Sequence, residues 1–352
     1  MCIGDADTQS IQTVCFQTKL PNQMSRVMKR QKPCADCLGV DRRDFLRVGG
    51  AAIAGTASTV LFDPRFAHAA PTSTSAAETA VGQLYTSLSD AQKKAICRPF
   101  DHKDRSRISA NWHVTKTTIG GDLFTKQQQT LIDQIVRNVT SEDGYERFIR
   151  QMDEDDAGMD SYSIAIFGEP GAGKFQWEMT GRHLTMRADG DSVDQAAFGG
   201  PIVYGHGEED PKENLFHYQT KKANEVFQAL DPKQAEVALL NKAPKESAVQ
   251  LQGSRGKFPG IGVDELADDQ KELVESTLKV LLAPYRQEDV EEVMAILKSS
   301  GGLDQLHMAF YQEGDLESDQ VWDIWRVEGP SLVWHFRGAP HVHAYINIGV
   351  VA

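Results

Sequence analysis

Four helix-start signals recur in this sequence at repeated intervals. The segments 89–92 and 125–128 each place a hydroxyl residue three positions before a glutamine, which is the pattern of a capping box. The segment 231–234 has an aspartate cap followed by proline, and 267–270 keeps the spacing without a capping side chain. The glutamines are 36 residues apart within each pair, and the second pair follows the first after 142 residues. This spacing predicts a chain built from two similar halves.

Later landmarks keep the same order in both halves. Helical patterns precede the apolar runs 162–167 and 306–311, Trp177 is matched by Trp322, and 201–204 is matched by 340–343. Helices followed by short apolar strands are typical of α+β architecture. The sequence therefore predicts an internally duplicated, pseudo-twofold α+β domain, in which each half (about 86–206 and 228–346) has helices followed by an antiparallel meander. We expect the strands to pack centrally, with the helices outside.

The N-terminal region has the pattern of an export signal. Arg42 and Arg43 precede the weakly apolar segment 48–62, which is followed by Arg65 and by a small-residue cleavage pattern at 67–69. This order is typical of twin-arginine signals, which direct folded proteins out of the bacterial cytoplasm. The sequence thus predicts a presequence over residues 1–69, a mature domain over 70–352, the twin-arginine translocase as an export partner, and a periplasmic or secreted location.

Composition limits the partners of the mature domain. The full chain has a net charge of −13, and residues 1–69 contain nine Lys/Arg and six Asp/Glu, so their removal gives −16. An acidic chain without a basic stripe predicts no nucleic-acid partner. Beyond the signal, no segment has the roughly twenty apolar residues of a membrane span, so no stable membrane anchor is expected after cleavage. Four of the five cysteines, including the Cys34 and Cys37 pair, precede residue 70, which leaves Cys97 alone.

A glycine-rich segment at 168–174 has the spacing of a phosphate-binding loop. The next residue is Phe175, which lacks the hydroxyl that holds magnesium in such loops. The residues that follow alternate like a strand, whereas a phosphate-binding loop opens a helix. We interpret the segment as a glycine-rich turn and predict no nucleotide cofactor.

Several motifs together resemble a known family. They comprise Trp112, the run 162–168, the run 177–184, Leu230 with Gln234, and the closing residues 341–343. In this order they are similar to the domain of unknown function 3500 family, and the likeness extends from about Leu84 to the end of the chain. In that family the glycine at position 181 is usually followed by two histidines, whereas here the first is Arg182. The resemblance implies no established reaction.

The histidines carry the most specific chemical hypothesis. His341 and His343 are two residues apart on a predicted strand, so their side chains leave the same face. His183, on a predicted strand of the other half, is the third candidate ligand, and three neutral imidazoles suit zinc, copper or iron. The alternative is a hydrogen-bonded histidine pair without metal. His206 is a weaker candidate, because it begins a polar loop.

Two further residues are candidates for ligand binding. Arg182 adjoins His183 and either pairs with an acidic side chain or binds an anion in the cleft. Trp177 either lines a pocket for a sugar or aromatic ligand or packs in the core. Two functions remain open: a metal-dependent exported hydrolase or oxidoreductase, and a non-catalytic extracytoplasmic protein that binds a small ligand or stores a metal.

Overall fold

The computed structural model describes residues 70–351, so the predicted export signal, its cleavage site and the Cys34–Cys37 pair lie outside the described residues. Within this range the chain forms eight α-helices: α1 (Ala76–Ser87), α2 (Asp90–Ile96), α3 (Lys126–Asn138), α4 (Glu142–Asp155), α5 (Tyr218–Ala229), α6 (Pro232–Ala238), α7 (Asp268–Leu282) and α8 (Gln287–Ser299). The helices of residues 70–351 include none with the length and apolar character needed to cross a bilayer.

Eleven strands of residues 70–351 form one sheet. They are β1 (Cys97–Arg98), β2 (Ser163–Gly168), β3 (Phe175–Gly181), β4 (Leu184–Ala188), β5 (Ile202–His206), β6 (Leu239–Leu240), β7 (Ile261–Gly262), β8 (His307–Tyr311), β9 (Ile324–Gly329), β10 (Leu332–Arg337) and β11 (Val342–Ile348). The order across the sheet is β1-β2-β3-β4-β5-β11-β10-β9-β8-β6, and β7 pairs with β8. The two outermost pairs, β1–β2 and β6–β8, are parallel, while the strands between them run antiparallel. The predicted α+β class is confirmed.

The predicted helix starts occur at α2, α3, α6 and α7, and their glutamines bond to one another. Gln92 Nε2 donates to Gln128 Oε1 at 2.8 Å, and Gln234 Nε2 donates to Gln270 Oε1 at 3.1 Å. Each second glutamine also donates to the carbonyl of the last residue of α1 or α5, at 3.1 Å and 2.7 Å respectively. These amides stabilise the helix starts and also join consecutive helices.

The sheet has two unlike faces. One face packs against the buried apolar residues of all eight helices and forms the main core, to which β11 contributes Val342 and Ala344. The other face is covered by the irregular segments 99–118 and 241–260, with Ala110 and Val249 packed against Tyr345. Because neighbouring strand residues point to opposite faces, His343 and Tyr345 lie on this loop-covered side. The expected central strands are present, but the helices cover only one face.

A buried ion pair fastens the first covering segment to the sheet. Arg187 on β4 donates to Glu178 on β3 at 2.6 Å, and both side chains are completely buried. The same guanidinium donates to the carbonyls of Arg105, Arg107 and Pro201. Its donors thus satisfy backbone acceptors that would otherwise be buried without partners.

Candidate metal centre

His183 reaches the site from a tight turn. Strand β3 ends at Gly181 and β4 begins at Leu184, so Arg182 and His183 form a two-residue hairpin turn. The backbone of His183 is left-handed, with a φ of 56°, and its N–H donates to the carbonyl of Ala110 at 2.5 Å. The prediction that His183 lies within a strand is wrong, because the turn sets the direction of its side chain.

Buried polar groups hold this turn in place. The carbonyl of Arg182 accepts hydrogen bonds from the Tyr162 hydroxyl at 2.6 Å and from Gln151 Nε2 at 3.2 Å. Tyr162 and Gln151 are both buried, so water cannot readily replace these bonds. The turn therefore presents His183 from a well-fixed backbone.

His341 immediately precedes β11, and His343 is the second residue of that strand. His343 is opposite Gly205 on β5 and Arg337 on β10. A Cβ at position 205 would lie 2.2 Å from the carbonyl oxygen of Val342, so a side chain there would push β5 away from this end of β11. The two histidines share one face, as predicted, and their Nε2 atoms are 3.1 Å apart.

The three imidazole rings converge. The ring centroid of His183 lies 5.1 Å from that of His341 and 4.8 Å from that of His343. The candidate ligand atoms of the three residues all lie within 4.8 Å of one another. A tetrahedral zinc ion bound at about 2.0–2.1 Å keeps its ligand nitrogens about 3.3–3.4 Å apart. The His341–His343 pair has nearly this separation already, and His183 needs to approach by no more than about 1.5 Å. The three residues therefore fit one metal ion.

Carboxylates lie behind two of the three rings. Asp155, the last residue of α4, accepts a hydrogen bond from His183 Nδ1 at 2.7 Å, and Glu246, from the segment 241–260, accepts one from His343 Nδ1 at 3.1 Å. A carboxylate on one ring nitrogen fixes the tautomer, so the lone pair of the other nitrogen is available to a metal. In both rings the free nitrogen is Nε2, and that of His343 faces Nε2 of His341.

Each carboxylate is itself held by other groups. Asp155 also accepts from Gln151 Nε2 and from the backbone N–H of Gly207, both at 2.7 Å. Glu246 lies 3.0 Å from Arg337 Nε in an ion pair and accepts from the Tyr345 hydroxyl at 3.3 Å. Neither carboxylate is free to rotate towards a metal, so each acts by orienting its histidine.

The protonation states suit metal ligation. Burial is the largest single effect and raises the pKa of Asp155 and of Glu246, but the hydrogen bonds and charges around each carboxylate, led by the bond from His183 or His343, together lower both values. Burial lowers the pKa of His341 to about 4, aided by the neighbouring His343, and it lowers the pKa of His343 against the opposing effect of Glu246. At neutral pH the carboxylates are ionised, and His341 and His343 are neutral.

His341 differs from its two neighbours because it lacks a carboxylate partner. Its Nδ1 is buried without a hydrogen-bond partner among the described residues, while its Nε2 faces the Nε2 of His343. Two lone pairs at this separation repel, so without a metal one Nε2 must carry a proton. A metal ion at the convergence point would accept both lone pairs and remove this conflict.

Arg182 lies at the edge of the same site. Its side chain is exposed. A Cβ built on Gly207 would lie 3.3 Å from Arg182 Nη2, 3.2 Å from His183 Cε1 and 2.7 Å from Asp155 Oδ1. The guanidinium, the imidazole and the carboxylate therefore border one small space that glycine leaves open. Arg182 thus lies beside His183, and its role in binding an anion stays a prediction.

Two predicted site residues lie elsewhere. Trp177 is completely buried in the core on the helix-covered face, so the prediction that it binds a ligand is wrong. Both ring nitrogens of His206 are occupied: Nδ1 accepts from the backbone N–H of Leu215 at 3.2 Å, and Nε2 lies 2.9 Å from Glu154. His206 thus supports the chain after β5 and does not join the three histidines.

Other predicted features also have clear positions. The glycine-rich segment 168–174 is a turn between β2 and β3, and the chain continues as a strand from Phe175, as predicted. A groove with a volume of about 570 Å³, bordered by Ser73, Glu78, Gln83 and Phe175, includes none of the three histidines.

Sequence reasoning did not identify Asp155, Glu246, Arg337 or Gly207. Asp155 belongs to the acidic run 153–156, in which nothing distinguishes one carboxylate from the next. Glu246 lies in an irregular segment almost a hundred residues before His343. A signal did exist for Gly207, which follows His206 at the end of an apolar strand, but glycine there is also typical of an ordinary loop.

Comparison with known proteins gives a family and no activity. The family model described as "Protein of unknown function (DUF3500)" matches residues 70–346. The chain therefore belongs to this family. No curated protein matches it. No solved structure matches it either.

Proposed function

We propose that this member of the DUF3500 family is a metal-dependent hydrolase whose single metal ion is held by the Nε2 atoms of His183, His341 and His343. The observation that carries the proposal is the carboxylate behind His183 and the second one behind His343. A histidine pair that served only as a mutual hydrogen bond would not need either ring oriented by a carboxylate. Oriented imidazoles are the usual surroundings of a metal.

The number of ligands favours catalysis over a purely structural site. The group contains three residues, and structural zinc sites have four protein ligands, whereas catalytic sites have three and leave a position open. A metal bound here would lower the pKa of a coordinated water towards neutrality and supply a nucleophile. Hydrolysis is therefore the reaction class that we propose, with zinc as the metal and copper or iron as alternatives.

Metal analysis tests the site directly. The exported protein should contain about one equivalent of metal, and His341→Ala with His343→Ala should abolish it. His113→Ala is the matched control, because it removes an exposed imidazole outside the group. Absence of metal from the wild-type protein after incubation with Zn²⁺, Cu²⁺ and Fe²⁺ would refute the proposal.

A substrate screen separates catalysis from binding. Hydrolysis of an ester, amide or phosphoester that is lost in the double histidine variant supports the enzyme. Stoichiometric metal without turnover would favour the alternative, an extracytoplasmic binding or storage protein.

The predicted internal duplication is part of the proposal. It is supported by the matching hydrogen bonds of the two glutamine pairs and by the strand registers. Trp177 lies opposite Ile166 on β2, and Trp325 lies opposite Phe310 on β8, so Trp325 rather than Trp322 is the better match for Trp177. An experimental structure in which 86–206 and 228–346 superpose with Trp177 on Trp325 would support the duplication; unlike topologies would refute it.

Under this alignment the histidine group occurs once. The turn between β9 and β10 consists of two residues, as does the turn between β3 and β4, and Ser331 takes the place of His183. Ile202 of β5 lies opposite Ile346 of β11. The pairing of these strands therefore gives no support to the earlier match of His341 with Ile202 and of His343 with Tyr204. One half would then have acquired the site after the duplication.

Export through the twin-arginine translocase is proposed from the sequence alone. Arg42 and Arg43 before the apolar segment 48–62 support it, as does the family match, which begins at residue 70. A reporter that requires folded transport, fused after residue 75, should reach the periplasm. Arg42→Lys with Arg43→Lys should block its export, and unimpaired export of that variant would refute the signal.

A further inference from the structure

Arg182 is a cation beside the three-histidine group. It follows β3 directly and shares its turn with His183, and its Nη2 borders the space beside the His183 ring. Among residues 70–351 its guanidinium makes no hydrogen bond and no ion pair, although Asp155 and Asp156 lie in the vicinity. An arginine held beside a reactive centre and left unpaired is available to a ligand.

The backbone under Arg182 is unusually well fixed for an exposed residue. Its carbonyl accepts from Tyr162 and Gln151, and residue 182 forms a bridge with Asn111. Only the side chain beyond this anchored backbone retains freedom. The conformational entropy lost when the guanidinium binds a ligand is therefore confined to its own rotamers.

A second guanidinium adds positive charge on the other side of the site. Arg337 lies opposite His343 on β10, in an ion pair with Glu246. Its Nη2 is buried and has no hydrogen-bond partner in the described part of the chain. Asp155 and Glu246 balance the two arginines, and Asp156 offsets only part of the charge of a divalent metal among neutral imidazoles, so the centre would keep an excess of positive charge. Such a centre attracts an anion.

We propose that the substrate carries an oxyanion, a carboxylate or a phosphate group, which binds to Arg182 while the metal holds the atom under attack. This inference rests on the proposed function, since it names the substrate class of the same site. The planar guanidinium can donate two parallel N–H bonds to such a group, which fixes the orientation of the substrate as well as its position. Arg182 is then a specificity-determining residue.

Fluorine NMR of small probes tests this subsite. Trifluoroacetate represents a carboxylate, monofluorophosphate represents a phosphate, and trifluoroacetamide is a neutral control. Each is titrated against the wild-type protein and against Arg182→Ala and Arg182→Lys. Arg255→Ala is the matched control, because Arg255 is an exposed arginine far from the histidines. It belongs to the turn 253–255, where the N–H of Gly253 donates to the carbonyl of Pro330 near the opposite end of β11.

We expect at least one anionic probe to bind the wild-type protein about 10- to 100-fold more tightly than Arg182→Ala, as the loss of a paired charge-assisted contact predicts. Arg182→Lys should give an intermediate affinity, because it keeps the charge and loses the planar fork. Arg255→Ala should behave like the wild type, and trifluoroacetamide should not distinguish the proteins. The probe with the larger loss identifies carboxylate or phosphate as the preferred group.

The measurements are made on both the zinc-loaded and the metal-free protein, so the two proposals can fail separately. If the wild-type protein does not bind zinc, the metal centre is refuted, and the role of Arg182 is still tested by anion binding to the metal-free protein. Equal anion affinity in the wild type and Arg182→Ala, or no binding of either anion, overturns the role of Arg182. Unchanged zinc stoichiometry and melting temperature in Arg182→Ala would exclude a merely structural effect.

Discussion

Replacing Asp155 with asparagine is the sharpest test of the metal centre, because it alters a histidine's partner without touching a ligand. The two oxygens of Asp155 accept three hydrogen bonds, from His183 Nδ1, Gln151 Nε2 and the N–H of Gly207. An asparagine has one oxygen, so in either orientation its amide N–H₂ group faces at least one of these donors. Asp155→Asn must therefore lose a bond and leave a buried donor without a partner.

The loss should appear in metal affinity. Removal of an outer partner of a metal-bound histidine costs about 10- to 100-fold in affinity, which corresponds to about 1.4–2.7 kcal/mol. The unsatisfied donor also lowers the stability of the metal-free fold by about 1–3 kcal/mol. Zinc affinity is measured at 25 °C by competition with a chromophoric chelator. Circular dichroism at the same temperature checks that the variant is folded.

Asp156→Asn is the matched control for this change. Asp156 is the next residue and is exposed, and among residues 70–351 its side chain accepts a hydrogen bond only from the adjacent N–H of Ala157. The control removes the same charge at nearly the same place, so it should change zinc affinity by less than about twofold. Equal affinities for Asp155→Asn and the wild type would refute the argument, and so would an equal loss in both variants.

Three further changes probe the surroundings of the site and the fold. Gly207→Ala places a Cβ 2.7 Å from Asp155 Oδ1, so zinc affinity by chelator competition should fall about tenfold, and an unchanged value would contradict the packing. Arg187→Met leaves Glu178 buried and unpaired, so the free energy of unfolding in urea should drop by about 3–5 kcal/mol; a drop below about 1 kcal/mol would show that the pair is dispensable. Burial and nearby carboxylates raise the pKa of Glu292 to about 8, so the folded state retains a proton that the unfolded chain releases near pH 4, and stability falls as pH rises through this interval. Glu292→Gln should thus raise the melting temperature by about 2–4 °C at pH 9 and leave it unchanged at pH 4.

Much of the architecture could be predicted because it depends on local signals. Capping residues at 89–92, 125–128 and 231–234 correctly indicated helix starts, and apolar runs correctly indicated β2 and β8. The arrangement of the sheet could not be predicted in this way. The pairing of β5 with β11 joins strands about 140 residues apart, and no local pattern shows that the helices cover one face while irregular segments cover the other.

The candidate site was predicted only in part, for a related reason. His341 and His343 were identified because strand alternation relates residues two apart. The structure brings His183 to His341 and His343, but a left-handed turn rather than the expected strand directs its ring. Asp155 and Glu246 lie on a helix end and in an irregular segment, and they meet the histidines only through tertiary packing.

The register of β11 explains why the site can form before a metal binds. Val342 and Ala344 pack in the main core, so His343 between them must face the other way. A slip of one residue would place the imidazole in the apolar core and expose the two apolar side chains, at a cost of up to about 1.5–3 kcal/mol for a valine-sized group. The close approach of Gly205 holds this end of β11 against β5. Apolar packing thus fixes the direction of His343, and Glu246 then orients its ring, so this ligand would be in place before a metal enters.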